Sequence, residues 1–163
     1  MEWLRRAMEG FSRSGSRHYS RSVADFHHLK AWQHAKLLAI ECARAAHAFP
    51  AEERFALADQ LRRAAYSAAL NVAEGSSRRG TRDHRKYLDT ARASLSEVAA
   101  ILEIATELGY VQPTTRARLE ARRDEAAKTV YGLLRAVTAK VDREARENAQ
   151  RCTAKAPPRT PAS

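Results

Sequence analysis

Apolar residues recur through the middle of the chain at alternating spacings of three and four, which marks helices with one buried stripe. In the first run the stripe is Trp32, Ala35, Ala39, Cys42, Ala46 and Phe49. Pro50 ends it, because the residue before a proline is pushed out of helical geometry. The second run covers 51–74, with Ala58, Leu61, Ala65, Ala68 and Val72 as its stripe. Gly75 follows the last periodic residue, where a left-handed C-cap is expected. The third run is the most regular: Tyr87, Ala91, Ser94, Val98, Ile101, Ala105 and Leu108, flanked by a row of Leu88, Leu95 and Leu102. Thr81 is placed to cap its start and Gly109 to stop it. The fourth begins after Pro113, with Thr114 or Thr115 as cap. Its buried side is Leu119, Ala126, Val130, Leu133 and Val137, and charge takes over near Asp142.

Helices of roughly 25 residues would each be about 37 Å long. Their connections, near Pro50, across 75–80 and across 109–113, are short, and short connections make neighbours antiparallel. The expected fold is all-α, an up-down-up-down antiparallel four-helix bundle over residues 24–148. The seven-residue spacing agrees with shallow left-handed crossing. Many stripe positions are alanine, so at ~25 cal/mol per Å2 the core is thin. The Leu88, Leu95 and Leu102 row then either widens that core or packs against a second subunit; periodicity leaves both open.

The flanks lack this pattern. Residues 1–23 are rich in Arg, Ser and Gly with no continuous apolar segment, which argues against a secretory signal. They read as a disordered basic leader, or as sequence upstream of the native start; the same composition also suits an organellar transit peptide. Residues 149–163 contain three prolines and no acid and are expected to be a disordered tail.

Composition supports the helical reading: 44% of residues are apolar, dominated by alanine, and only 7% are aromatic. With 29 basic and 19 acidic residues the formal charge is +10, which favours a polyanionic partner without dictating the fold. Two cysteines, Cys42 and Cys152, make no disulfide framework, so a reducing cytoplasm is the expected location. No stretch approaches the roughly 18 apolar residues that span a membrane. A soluble protein without membrane contact is expected.

Charge is not spread evenly. Between Glu74 and Arg92 stand six basic residues (Arg78, Arg79, Arg82, Arg85, Lys86, Arg92) and three acids (Glu74, Asp83, Asp89). Arg62 and Arg63 lie upstream on the second helix. Arg82, Arg85 and Lys86 fall opposite the Tyr87/Ala91 stripe, so they project outward together. Phosphates are attracted to such a group, and each neutralised phosphate releases a counterion. The start of the third helix adds backbone N–H groups that favour anions. Arg62, Arg63, Arg78, Arg79, Arg82, Arg85 and Lys86 are therefore the candidate nucleic-acid contacts; a solvated charged loop is the bland alternative.

Catalysis finds less support. Arg79 and His84, with four residues between them, resemble the Arg-x4-6-His signature of HEPN ribonucleases, where histidine and arginine serve as base and charge stabiliser. Any Arg-rich loop near a histidine matches that pattern. Ferritin-like metal sites need Glu-x-x-His pairs, and no histidine here has a glutamate three residues before it. His27, His28 and His34 read as surface residues. No catalytic residue, metal or cofactor is expected.

Several segments together resemble the four-helix-bundle proteins first known from intervening sequences of 23S ribosomal RNA genes. Phe26, Leu29 and Trp32-Gln33 fit the family's opening, and Phe49-Pro50-Ala51-Glu52-Glu53 with Phe55 and Leu57 its first turn. The most specific portion is Gln60, Arg63, Ala64, Ser67, Asn71, Val72, Ala73, Glu74 and Gly75. Tyr87-Leu88, Ala91, Ser94-Leu95 and Glu97 fit the third helix, and Leu108-Gly109-Tyr110 its stop. Two positions depart: Ala69 stands where proline is common, which implies a straighter helix, and Ala93 replaces a glycine, which implies a looser helix contact.

The resemblance, over roughly 25–138, implies a cytosolic bacterial homo-oligomer, a pentameric ring with a basic surface for RNA or DNA. Some relatives are accessory proteins of diversity-generating retroelements, which makes a reverse transcriptase a candidate partner. It also offers structural roles for Gln60, Ser67, Asn71, Glu74, Gly75 and Glu97. In particular Gln60, Arg63, Asn71 and Glu97 can tie the second helix to the third, since buried polar groups must be paired. A protein-interaction scaffold without nucleic-acid binding, and a HEPN-like ribonuclease, are the competing readings.

Overall fold

The computed structural model describes residues 26–154. Four helices follow one another: α1 (Lys30–Ala46), α2 (Leu57–Ser77), α3 (Thr81–Glu107) and α4 (Pro113–Ala154). Short 3-10 turns at Phe26–His28 and Ala51–Phe55 precede α1 and α2. The described residues contain no strand. Contacts join α1 to α2, α2 to α3, α3 to α4 and α4 back to α1. Such a closed ring of neighbours is an up-down-up-down bundle, and the α2–α3 seam is its most extensive.

The stripes found in the sequence form the core. Ala35, Leu38, Cys42, Ala58, Leu61, Ala65, Val72, Val98, Leu119 and Val130 are all fully buried. Leu88, Leu95 and Leu102 are buried within the single chain, so that row widens the core and is not available to a second subunit. Leu108, placed in the stripe by its spacing, is exposed instead; it is the C-cap of α3, and Val111, with Tyr110 packed beside it, takes the place in the core after the turn. Outside the core, Glu41 ties α1 to α4 through Arg118 (2.6 Å) and Arg122 (2.9 Å).

Helix ends follow local chemistry, with several differences from expectation; α1 already stops at Ala46, before Phe49 and Pro50. Helix α2 begins at Leu57, because Ala51–Phe55 forms a separate 3-10 turn that Leu57 N–H joins to the Glu53 carboxylate (3.0 Å). Gly80, not Thr81, is the N-cap of α3, and the Thr81 hydroxyl instead meets the Glu144 carboxylate on α4. Pro113 is itself the first residue of α4, where its missing N–H costs nothing, so neither Thr114 nor Thr115 caps. Finally, α4 runs 42 residues, about 63 Å, and carries residues 149–154 that were assigned to a disordered tail. Nothing in 142–154 stops a helix; the next prolines are Pro157 and Pro158. The rest of that tail and the 1–23 leader lie outside the described residues.

Gly109 behaves as expected. Its φ of +74° is the left-handed conformation, with Tyr110 N–H donating to Ala105 O (2.8 Å) and Gly109 N–H to Thr106 O (2.9 Å). This is a Schellman stop, and glycine meets its backbone demand. Ala69 is buried in an uninterrupted α2, as its replacement of proline implies. Ala93 is exposed, so no helix contact is loosened there.

Candidate nucleic-acid interface

The α2–α3 elbow is built around Gly75. It is not a left-handed C-cap: α2 continues through it to Ser77, and Gly75 is buried. A Cβ there would stand 3.0 Å from Tyr87 Cβ and 3.1 Å from His84 Cδ2. Glycine is needed because the first turns of α3 lie against its backbone, not because the chain turns there.

From Gly75 back along α2 runs a polar seam that faces α3. Gln60 Nε2 donates to Glu97 Oε1 (3.2 Å). Asn71 Nδ2 donates to Ser67 O (2.8 Å) and to Ser67 Oγ (3.1 Å). The Ser67 and Ser94 hydroxyls are bonded, and Ser94 Oγ donates to Thr90 O (3.0 Å). Glu74 accepts from Arg78. Of the four residues expected to tie α2 to α3, Gln60 and Glu97 do so directly, while Asn71 bonds within α2 and reaches α3 only through Ser67. Arg63 bonds Asp59 on its own helix (2.7 Å) and does not reach α3, because it points to the outer side of α2.

The seven candidate cations divide into two groups. Arg62 is partly buried, donating to Arg54 O (2.9 Å) and Asp59 (3.2 Å). With Arg63 it belongs to the α1–α2 connection, far from the elbow: fifteen residues separate Arg63 from Arg78, about 22 Å of helix. Arg78 is also held, paired with Glu74, bonded to the Tyr87 hydroxyl (2.6 Å) and stacked over the Tyr87 ring (4.8 Å). These three arginines are fastened to the protein.

Arg79, Arg82, Arg85 and Lys86 are exposed, and among the described residues none of their side chains has an ion-pair or hydrogen-bond partner. Arg82, Arg85 and Lys86 line a shallow groove along the outer face of α3, together with Asp89 and Thr90. Asp83 sits in the first turn of α3, where it offsets the positive helix end. No side chain caps that end. The arrangement can attract and hold phosphates.

His84, the residue of the Arg79/His84 pattern, is turned inward. Its Nε2 is shielded from solvent and lacks a hydrogen-bond partner, and its ring packs beside Gly75. Burial, and then the Lys140 ammonium, lower its pKa from the usual 6.5. Among the described residues no group of three or more His, Cys, Asp or Glu could hold a metal, and no helix is long and apolar enough to cross a membrane.

Residues 27–132 match the family model described as 23S rRNA-intervening sequence protein. The chain belongs to that family. No curated protein matches it. In this family member the matched span takes in α1, α2, α3 and the first part of α4, so the polar seam and the elbow both lie inside it. The end of α4 lies beyond, and sequence reasoning overlooked it. Lys140 and Glu144 are more than fifty residues from the elbow, and nothing in their own neighbourhood signals that α4 passes there.

Proposed function

We propose that this 23S rRNA-intervening sequence protein family member is a non-enzymatic protein that binds an RNA or DNA strand through the α2–α3 elbow. One observation carries the reading: four adjacent cations, Arg79, Arg82, Arg85 and Lys86, face outward without carboxylate partners, while Arg62, Arg63 and Arg78 are each satisfied. Phosphate contacts of this kind position a strand without reading its bases. The shielded Nε2 of His84 supports binding without cleavage, since a general base must reach the proton it removes.

Self-association is part of the reading. Tyr66 and Leu70, one turn apart on α2, are exposed, Leu70 at 66%, and a second subunit would cover them. They take the place that the buried leucine row on α3 cannot.

The test is the salt dependence of binding to a labelled single-stranded RNA. Three to four phosphate contacts on a single strand give a log–log slope of about −2 to −3, with the RNA recovered intact. A protein scaffold would give weak binding with a flat salt response, and a nuclease would shorten the RNA. Either outcome rejects the proposal.

A further inference from the structure

The basic track does not end on α3. At the end of the bundle a cleft of about 370 Å3 opens between the elbow and α4, with Arg79, Thr81 and Arg82 on one wall and Lys140, Glu144 and Asn148 on the other. That volume is at the lower end of sites that enclose a small ligand. Three of its residues are cationic and one is acidic. The acid is already engaged, since the Glu144 carboxylate accepts from the Thr81 hydroxyl. None of the three cations has an ion-pair partner among the described residues. Lys140, on α4, lines this cleft together with Arg79 and Arg82 of the elbow. Three like charges sharing one concavity repel one another, and an anion between them removes that repulsion.

We infer that this α3–α4 cleft is a phosphate subsite, in which Arg79, Arg82 and Lys140 together hold one phosphate of a bound polynucleotide strand. The inference rests on the nucleic-acid reading above and adds α4 to it. Arg82 lines both this cleft and the groove along α3 that contains Arg85 and Lys86. The strand would therefore run from the end of α4 across the elbow and along the outer face of α3. Lys140 is the residue that separates this path from one confined to α3, because it shares no element with the other cations.

The experiment compares the full chain with Lys140→Ala, Lys140→Arg, Arg143→Ala and Arg85→Ala, reading affinity and salt slope for a labelled single-stranded RNA. Arg143 is on α4 outside the cleft, facing Glu147 at 4.0 Å. Lys140→Ala is expected to weaken binding several-fold and to reduce the slope by part of one phosphate's share of about 0.7, since Arg79 and Arg82 still reach that phosphate. Lys140→Arg should keep the slope, and Arg143→Ala should behave as the parent. If Lys140→Ala binds as the parent while Arg85→Ala loses affinity, the elbow stands and the cleft falls. If the parent shows no salt-dependent binding, both fall. Calorimetry with inorganic phosphate separates the sources of the anion: the strand assignment expects no saturable uptake at millimolar phosphate. Uptake that Lys140→Ala abolishes would overturn it in favour of a free-phosphate site.

Discussion

The Ser67 and Ser94 hydroxyl oxygens stand 2.8 Å apart across the α2–α3 seam. Each hydroxyl has one proton to give. Ser94 gives its own to Thr90 O, and Asn71 donates to Ser67 Oγ, so Ser67 donates to Ser94. The result is a directed chain, Asn71 to Ser67 to Ser94 to Thr90 O, in the part of the bundle where alanines bring two helices close. Removing one member strands another. Ser94→Ala is expected to cost about 1–3 kcal/mol in urea unfolding. A double-mutant cycle with Ser67→Ala should give a coupling of at least about 0.5 kcal/mol; strictly additive losses would contradict the chain.

Gly75→Ala opposes two effects. Alanine favours helix over glycine by about 1 kcal/mol, and Gly75 is helical. Against this, the new methyl would meet Tyr87 Cβ at 3.0 Å and the His84 carbonyl oxygen at 3.4 Å, atoms close to or in the α3 backbone. Overpacking of this kind costs about 1–3 kcal/mol, so the substitution should lower the melting temperature. A rise in the melting temperature would show that α3 can retreat from α2 freely.

Both the glycine and the polar seam bear on what the chain reveals before it is folded. The stripes of all four helices were legible because burial repeats every turn, and Gly109 because a helix stop has local backbone rules. Gly75 was legible only as a glycine near a helix end; that it serves a close approach depends on Tyr87 and His84, which arrive from another helix. The basic residues were legible as a cluster, but periodicity could not separate Arg78, which finds Glu74 and Tyr87, from Arg79, which finds nothing. Pairing is decided by which carboxylates fold into reach, and so is the place of Lys140 at the far end of α4.

Because burial and the Lys140 ammonium lower the His84 pKa below 6.5, the unfolded chain takes up a proton that the folded chain resists. The stability contributed by the neutral ring is fully present above pH 6.5 and is lost as pH falls through the folded value. Ring proton chemical shifts should titrate with a midpoint below 6.5, and Lys140→Ala should raise that midpoint. A midpoint at or above 6.5 in the parent would contradict the inward placement of the ring.

Cys42 has the opposite sign. Burial, with Glu41 beside it, pushes its thiol from 9.0 up to about 12. Its contribution to stability is fully present below pH 9.0 and is lost as pH rises towards about 12. Iodoacetamide at pH 8 should leave Cys42 unmodified in the native protein and alkylate it in urea, as peptide mass analysis would detect. Rapid native modification would mean that the core admits the reagent.

The division between held and unheld arginines is tested by charge reversal at the exposed set alone. A variant carrying Arg79→Glu, Arg82→Glu and Arg85→Glu should retain the helical far-UV spectrum of the parent and fail to retard single-stranded RNA in a gel. The Arg63→Glu variant, altered where the arginine is already paired with Asp59, should retard it as the parent does. Parental affinity in the triple variant would contradict the assignment of the elbow as the binding edge.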